Sequence, residues 1–296
     1  MNRVAKFLAH EGRVSLVCAN TTELAEEIRN LHDLTPTTTA AMGRFATITG
    51  MMGFTDIKEK DDYITFQING NGPMGRLISV VRRDSTTSKV KVCVDDPHVE
   101  LPLKSNGKLD VGGAVGKNGF LNIINKNDVI DTNYNGLVPL VSGEIAEDFT
   151  EYFAKSKQKP TVIALGVLIN KDGVKASGGY MIQLMPDATE EDISKVEKAL
   201  ENAPSISQMI SEGRSLENIA RTITGDEDVM ILAQELNMIY ECDCSREKLE
   251  KSLISIGKKE ITKIIQEDGK ADIICHFCNE KYHFSKEDLE ALLEEM

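Results

Sequence analysis

The stretch YITFQINGNGPMGRLISVV, residues 63–81, decides the fold class of this chain. The strand-forming stretches YITFQI and RLISVV lie on either side of the turn sequence NGNGP, as expected of two strands joined in a hairpin. The further predicted strands are KVKVCV (89–94), LNIIN (121–125), LVPLV (137–141), TVIALGVLI (161–169) and YMIQLM (180–185). The turn NKDG (170–173) is predicted to join the last two of these in another hairpin. A large sheet is therefore expected.

Helices are predicted before these strands and among them. TTELAEEIRNLHDL (21–34) carries apolar residues at helical spacing, and TPTTTAAMGRFATITGMMG (35–53) places Pro36 where a helix tolerates it, in the first turn. The second of these is rich in alanine and glycine, so we expect it to be buried against the sheet. EIAEDFTEYFAKS (144–156) is a third helix. Because the strands occur in runs and the helices are segregated from them, the predicted fold class is α+β rather than a βαβ repeat.

Composition excludes several classes of protein. The chain has 296 residues, 41% of them hydrophobic and 27% charged, which is typical of a globular protein with one large domain and a smaller unit. No stretch approaches the roughly 20 apolar residues that cross a bilayer, so no membrane insertion is expected. Lys6, Glu11 and Arg13 interrupt the start before a signal peptide could form, which predicts a cytoplasmic protein. A net charge of -13 disfavours nucleic acid as a partner.

The domain organisation follows from changes in composition along the chain. Residues 1–186 are predicted to form an N-terminal α+β domain of sheet and helix. Residues 187–237 contain three short helical segments with a thin apolar stripe, so we expect a helical linker that is metastable unless it packs on another surface. Residues 238–296 form a small C-terminal module, in which Ser245 and Ser285 are predicted helix N-caps. A module of this size needs a further source of stability besides its apolar core.

Four of the six cysteines lie in this C-terminal module. Cys242 and Cys244 form a C-x-C pair, and Cys275 and Cys278 form a C-x2-C pair 30 residues further on. In a reducing compartment such clusters bind metal or sense redox state more often than they form structural bridges. Four sulfur ligands suit a tetrahedral Zn²⁺, although the spacing is not that of a simple zinc ribbon. His276 is an alternative ligand between the second pair.

A zinc site in this module could have either of two roles. It could be purely structural and hold the module folded, since zinc supplies on the order of 10 kcal/mol to small metal-folded domains. It could also be a redox switch, because each cysteine pair is close enough in sequence to form a local disulfide and so remove two ligands together. The remaining cysteines, Cys18 and Cys93, lie in strand-like apolar sequence and are expected to be small buried hydrophobes.

No feature of the sequence predicts an enzyme. Four sulfur ligands leave no open coordination position on zinc for a substrate. The glycine-rich stretches GNGPMG (70–75) and VGKNG (115–119) lack the phosphate-loop pattern and precede strands rather than helices. The five histidines are scattered, and no nucleophile stands beside a base.

Several stretches of the sequence resemble one known family. Residues 242–250 (CDCSREKLE), 266–269 (QEDG) and 275–284 (CHFCNEKYHF) are similar to the redox-switch domain of heat shock protein 33, a bacterial holdase chaperone. Residues 70–77 (GNGPMGRL), 134–161 (YNGLVPLVSGEIAEDFTEYFAKSKQKPT) and 178–186 (GGYMIQLMP) resemble the N-terminal domain of that family. The resemblance therefore extends through most of the chain.

The resemblance implies a redox-regulated, ATP-independent chaperone that prevents the aggregation of unfolding proteins under oxidative stress. By position it implies that Cys242, Cys244, Cys275 and Cys278 bind one Zn²⁺ per chain when reduced. Oxidation would join Cys242 with Cys244 and Cys275 with Cys278, release the zinc and unfold the linker. The implied partners are partly unfolded client proteins, and the implied active form is a homodimer.

A zinc-ribbon protein that binds nucleic acid or the translation machinery is the alternative. From residue 242 to residue 296 the chain has 9 Lys and Arg against 13 Asp and Glu. This local excess of negative charge disfavours the alternative, because nucleic-acid modules present a basic surface.

Overall fold

The computed structural model describes residues 2–59, 62–127 and 132–296. The chain divides into two compact units, Met1–Tyr240 and Glu241–Met296. No helix in the described part of the chain is long and apolar enough to cross a membrane.

Among the described residues, the first unit combines a large sheet with seven α-helices and one short 3-10 helix, His10–Gly12. Its strands are β1 (Arg3–Ala9), β2 (Val14–Asn20), β3 (Tyr63–Asn69), β4 (Arg76–Arg83), β5 (Thr87–Val94), β6 (Phe120–Asn127), β7 (Thr132–Pro139), β8 (Thr161–Asn170), β9 (Gly173–Leu184) and β10 (Met230–Tyr240). Its helices are α1 (Thr22–His32), α2 (Pro36–Asp56), α3 (Val111–Val115), α4 (Ala146–Lys155), α5 (Glu190–Asn202), α6 (Ile206–Ser211) and α7 (Leu216–Thr224).

All ten strands belong to one sheet, in the order β7-β6-β3-β4-β5-β10-β1-β2-β9-β8. The predicted hairpins β3–β4 and β8–β9 are present, with Asn69 opposite Arg76 and Asn170 opposite Gly173. Strand β10 joins the two halves of the sheet: it pairs antiparallel with β1 and parallel with β5, where Asn237–Tyr240 lie beside Thr87–Val90. The α+β fold class is confirmed.

Helix α2 lies against one face of the sheet and is buried along nearly its whole length. Its small residues permit this close approach, as the sequence predicted. A Cβ atom added to Gly53 would lie 2.2 Å from Cγ1 of Val81, and one added to Gly50 would lie 2.5 Å from Sδ of Met238. Helix α2 is therefore the centre of the larger hydrophobic core, where it packs on the sheet and on α1, and where its Phe45 ring lies 6.3 Å from that of Phe149 in α4.

The central strands β1 and β2 have apolar residues on both faces, because each face supports a different core. Val4, Val17 and Ala19 belong to the core around α2. The alternate residues of the same strands face a second core, which contains Phe7 and Leu16. Helices α5, α6 and α7 supply the other side of this second core, with Val196, Ile206, Met209, Ile210, Leu216, Ile219, Ala220 and Ile223.

The structure differs from the sequence prediction in the stretch 187–237. The three predicted helical segments are present and end at Thr224, and the last eight residues of the stretch, from Met230 onward, belong to strand β10. The division between the compact units falls after Tyr240 rather than after residue 237. Strands β1 and β2 and the short helix α3 also had no explicit prediction.

The second unit is small and built from short elements. It contains α8 (Arg246–Ile256), α9 (Lys258–Glu267), the hairpin strands β11 (Ala271–Ile274) and β12 (Lys281–Phe284), and α10 (Lys286–Glu295). Ser245 and Ser285 cap α8 and α10 as predicted, and Gly257 ends α8 with a positive φ of 94°. The core of this unit consists of Leu253, Ile261, Phe284, Leu289 and Leu292, with partly buried neighbours.

Candidate metal centre

The four C-terminal cysteines come from two segments that the fold of the second unit brings together. Cys242 and Cys244 lie in the extended segment that precedes α8, and Cys275 and Cys278 lie in the turn of the β11–β12 hairpin. In that turn the backbone N–H of Cys275 donates to Glu280 (2.9 Å), and the N–H of Asn279 donates to Cys275 (2.8 Å). Asn279 has a φ of 58°, which Asn tolerates better than most residues, and this conformation closes the turn.

The four sulfur atoms lie within 4.8 Å of one another. The closest pairs take one cysteine from each segment: Cys242 Sγ is 3.7 Å from Cys275 Sγ, and Cys244 Sγ is 3.3 Å from Cys278 Sγ. A tetrahedral Zn²⁺ with Zn–S bonds of about 2.3 Å separates its sulfur ligands by about 3.8 Å. The cluster is therefore consistent with one Zn²⁺ held by four sulfurs.

The thiols of the cluster differ in their ease of ionisation. Burial raises the pKa of Cys242 to about 11, and burial also raises the pKa of Cys278. Partial burial opposes ionisation of Cys244 as well, but hydrogen bonds from the Tyr282 hydroxyl and from the other thiols outweigh it and lower its pKa. A divalent cation among the sulfurs would favour the thiolate form of all four.

Tyr282 is a neighbour of the cluster that the sequence reasoning missed. Its hydroxyl lies 3.1 Å from Cys244 Sγ, and this hydrogen bond raises the pKa of the phenol. Tyr282 lies on β12, opposite Ile273 on β11. Only the pairing of β11 with β12 shows which side chain of this strand reaches the sulfurs.

The other candidates from the sequence lie elsewhere. His276 is exposed and does not belong to the four-sulfur group. Cys18 is fully buried in β2, where burial raises the pKa of its thiol, and Cys93 is half-buried in β5.

The basic residues that follow the first cysteine pair are engaged in contacts within the unit. Arg246 lies over the ring of Phe284 (4.4 Å to the ring centre) and forms an ion pair with Asp288 (2.9 Å). Lys248 pairs with Asp243 at 2.5 Å. Arg246 thus connects the start of α8, which follows the first cysteine pair, with β12 and α10, which follow the second pair.

Four sulfurs would complete the coordination of a zinc ion and leave no position for a substrate, so the fold and the site fit the class of non-catalytic zinc-binding proteins. The family model described as "Hsp33 protein" matches residues 2–285. This chain therefore belongs to the Hsp33 family, whose members are non-enzymatic, redox-regulated holdase chaperones of unfolding proteins.

Individual relatives agree with this assignment over nearly the full length. The 33 kDa chaperonin of Clostridioides difficile (strain 630) is 43% identical, with 99% of each chain covered. That of Geobacillus sp. (strain WCH70) is 40% identical, with 98% of this chain and 96% of the relative covered. The crystal structure of the 33 kDa chaperonin of Thermotoga maritima superposes with a TM-score of 0.88 at 35% identity, with 99% of this chain and 98% of that chain covered.

Proposed function

We propose that Cys242, Cys244, Cys275 and Cys278 are the zinc ligands of the reduced protein and that their oxidation releases the linker to expose a client-binding surface. The division proposed is a client-binding core (1–186), a releasable linker (187–237) and a redox-switch module (238–296). One observation carries this proposal: helices α5, α6 and α7 cover an apolar face of the sheet that includes Phe7, Leu16 and Ile182. Displacement of these helices would expose both apolar surfaces to unfolding proteins.

Peroxide is the proposed oxidant. In each cysteine pair the two thiols lose two electrons and two protons as the S–S bond forms, and one hydrogen peroxide is reduced to two water molecules. Two such steps oxidise all four ligands, and Zn²⁺ leaves because a disulfide sulfur is a poor ligand.

The proposed disulfides are Cys242 with Cys244 and Cys275 with Cys278. They differ from the pairs whose sulfurs lie closest in the folded cluster, Cys242 with Cys275 and Cys244 with Cys278. The local pairs are favoured once the first ligands are lost, because the module then unfolds and short loops close at a lower entropic cost than loops of more than 30 residues.

The coupling between the module and the linker is thermodynamic. Zinc supplies on the order of 10 kcal/mol to the folding of small metal-dependent domains, so its loss should unfold the redox-switch module. The chain runs from helices α5, α6 and α7 through β10, whose first eight residues end the linker, to Cys242, and we propose that disorder in the module lowers the stability of the docked linker. The proposed active form is a homodimer, and the proposed location is the cytoplasm.

One experiment tests the activation as a whole. The zinc-loaded protein is treated with peroxide at mild heat, and zinc release, protease cleavage within residues 187–237 and suppression of client aggregation are followed in the same sample. Zinc release, cleavage of the linker and suppression of aggregation should all increase over the same time course. If zinc is released while the linker keeps its protease resistance, the proposed coupling is wrong.

Peptide mapping tests the disulfide pairing separately. After cleavage between the two cysteine pairs, local disulfides leave two unlinked peptides, each lighter by two hydrogens. Disulfides between the two segments would instead keep these peptides linked, and that result would contradict the proposed pairs.

A further inference from the structure

A second polar site lies in the first unit, well within the described residues and remote in sequence from the cysteine cluster. It is a cavity of about 150 Å³ beneath the ends of α2 and α4. Lys6, Ser15 and Gln183 line it from the sheet, Asp56 lines it from the end of α2, and Lys157 and Lys159 line it from the segment between α4 and β8. A cavity of this volume has room for several water molecules, which take about 10–15 Å³ each on this measure, or for one small anion.

The floor of the cavity is set by the register of three adjacent strands. Lys6 on β1 lies opposite Val17 on β2, and Val17 lies opposite Met181 on β9. In the next row Ser15 lies opposite Gln183. These side chains share the face of the sheet that carries α2, at the place where the apolar core around α2 gives way to polar residues.

Lys6 is an unusual residue for its position. It is half-buried on a strand that is paired on both sides, and the pairing of β1 with β10 is irregular on each side of it. Within the part of the chain that the structure describes, its ammonium group has no hydrogen bond or ion pair, and neither does that of Lys159. Lysine is almost never fully buried without a partner, and strand irregularities are common beside functional sites, where they change the direction of a side chain.

The charge of the cavity is positive in a chain whose net charge is -13. The carboxylate of Asp56 lies 3.6 Å from Lys157 and offsets one of the three lysines, so Lys6 and Lys159 leave an excess of two positive charges. Neutral donors are present as well. The amide of Gln183 uses one hydrogen on Thr161 Oγ1 (3.2 Å), which leaves its second hydrogen, and the hydroxyl of Ser15 has no partner among the described residues.

We propose that this cavity binds a small tetrahedral oxyanion of the phosphate type, with Lys6 as its central ligand and Lys159, Ser15 and Gln183 as further donors. Ammonium groups bind phosphate oxygens through charge-assisted hydrogen bonds, and the anion would supply the missing partner of Lys6. Because the proposed donors lie on β1, β2, β9 and the segment between α4 and β8, binding of the anion should stabilise the first unit.

The test uses the full-length, reduced, zinc-loaded protein and inorganic phosphate. Calorimetric titration at low ionic strength should show saturable binding, and thermal unfolding of the first unit should shift upward with phosphate but not with chloride at equal ionic strength. Sulfate should act like phosphate. Lys6→Met, which keeps the length of the side chain and suits its half-buried site, should weaken binding about tenfold or more.

Two further variants keep the test decisive. Lys159→Gln alters an exposed residue, so it should fold normally and should also weaken binding. Lys117→Gln removes the same charge from an exposed loop outside the cavity and should leave binding unchanged. Equal effects of phosphate and chloride, or equal phosphate affinity in the wild type, Lys6→Met and Lys159→Gln, would overturn the proposal.

Discussion

Tyr282 shows how a residue outside the cysteine motif supports the cluster. Its hydroxyl hydrogen-bonds Cys244 Sγ at 3.1 Å, and its position on β12 ties that contact to the hairpin that carries Cys275 and Cys278. Groups that hold a metal ligand in place typically change metal affinity by about 10- to 100-fold when they are removed. We therefore expect Tyr282 to contribute to zinc binding without being a ligand.

Tyr282→Phe should weaken zinc binding by about 10- to 100-fold, because the ring is kept and only the hydrogen bond to Cys244 is lost. Competition with a chromogenic chelator measures the affinity. Tyr180→Phe is the matched control, since it removes a phenol hydroxyl from the core of the first unit and should leave zinc affinity unchanged. Equal affinities in the two variants would contradict a role for Tyr282.

Asp192 is the residue that fastens the start of the linker to the sheet. Asp192 is 1% exposed, and its carboxylate accepts hydrogen bonds from Arg13 Nε at 2.7 Å and from the backbone N–H of Thr189, the N-cap of α5, at 2.9 Å. The bond from Arg13, with those from Thr189, holds the pKa of Asp192 well below its usual range. The ionised carboxylate therefore makes its full contribution to the free energy of unfolding above the pKa of an unfolded Asp, about 3.9. This contribution is lost as the pH falls towards the lower pKa of the folded state.

Asp192→Asn should lower the thermal stability of the docked linker at pH 7, and the difference from the wild type should shrink as the pH falls below about 4. Thermal unfolding with protease cleavage of residues 187–224 as the readout measures this difference. Asp187→Asn is the control, because Asp187 is exposed and its replacement changes the net charge equally. A difference that stays constant from pH 7 to pH 3 would show that the charge of Asp192 is not involved.

Helix α7 illustrates why the linker helices depend on the sheet. It has only nine residues, so in isolation it would be marginal in water, yet Leu216, Ile219 and Ile223 are buried in the second core. The stability of this element is tertiary in origin. A change that weakens this packing should therefore release the linker more easily.

Ile219→Ala should remove about 2–5 kcal/mol from linker docking, because it deletes a fully buried side chain. Suppression of client aggregation, followed by light scattering, should then appear at a lower peroxide dose than in the wild type. Asn218→Ala changes the exposed neighbour on the same helix and should keep the wild-type dose. If both variants need the same peroxide dose, docking of α7 does not limit activation.

Helix α2 shows the opposite relation between local preference and packing. Alanine favours a helix by about 1 kcal/mol over glycine, but a Cβ on Gly53 would lie 2.2 Å from Cγ1 of Val81. The sequence alone would suggest that alanine is harmless at this position. Because Gly53 lies against Val81 of the sheet, an alanine side chain would clash there.

Gly53→Ala should destabilise the first unit by about 1–3 kcal/mol, the usual cost of overpacking. Urea unfolding measures the free energy of unfolding. The double variant Gly53→Ala with Val81→Ala should lose less stability than the two single effects combined, because the second change removes the clashing methyl groups. Simple additivity would show that the clash is absent.

The two units differ in what stabilises them. The first has two extensive apolar cores, whereas the second relies on five buried apolar side chains and two four-residue strands. Below about 70–80 residues a single core rarely suffices, so the second unit should depend on its metal. We therefore expect that loss of zinc unfolds the second unit and leaves the first unit folded.

Removal of zinc from the reduced protein by a chelator should unfold residues 241–296 and leave most of the first unit folded. Loss of NMR chemical-shift dispersion in the second unit, with retained signals from α2 and its neighbouring strands, measures this outcome. Renewed addition of zinc should restore the spectrum. A second unit that stays ordered without metal would remove the physical basis of the switch.

Much of the molecule was determined by local features of the sequence. The cysteine spacing, the capping residues Ser245 and Ser285, and the turns NGNGP and NKDG each act over a few residues, so their consequences could be predicted without the fold. Only the tertiary structure decided that β10 joins β1 to β5 and that opposite faces of β1 and β2 support different cores. It also decided that Tyr282 contacts the cysteine cluster and that Lys6 lines the polar cavity. These relations join residues up to more than 200 positions apart, as in the pairing of Leu8 with Met230. Side-chain periodicity shows that a strand has two faces, but the partner of each face depends on long-range pairing, which no local pattern encodes.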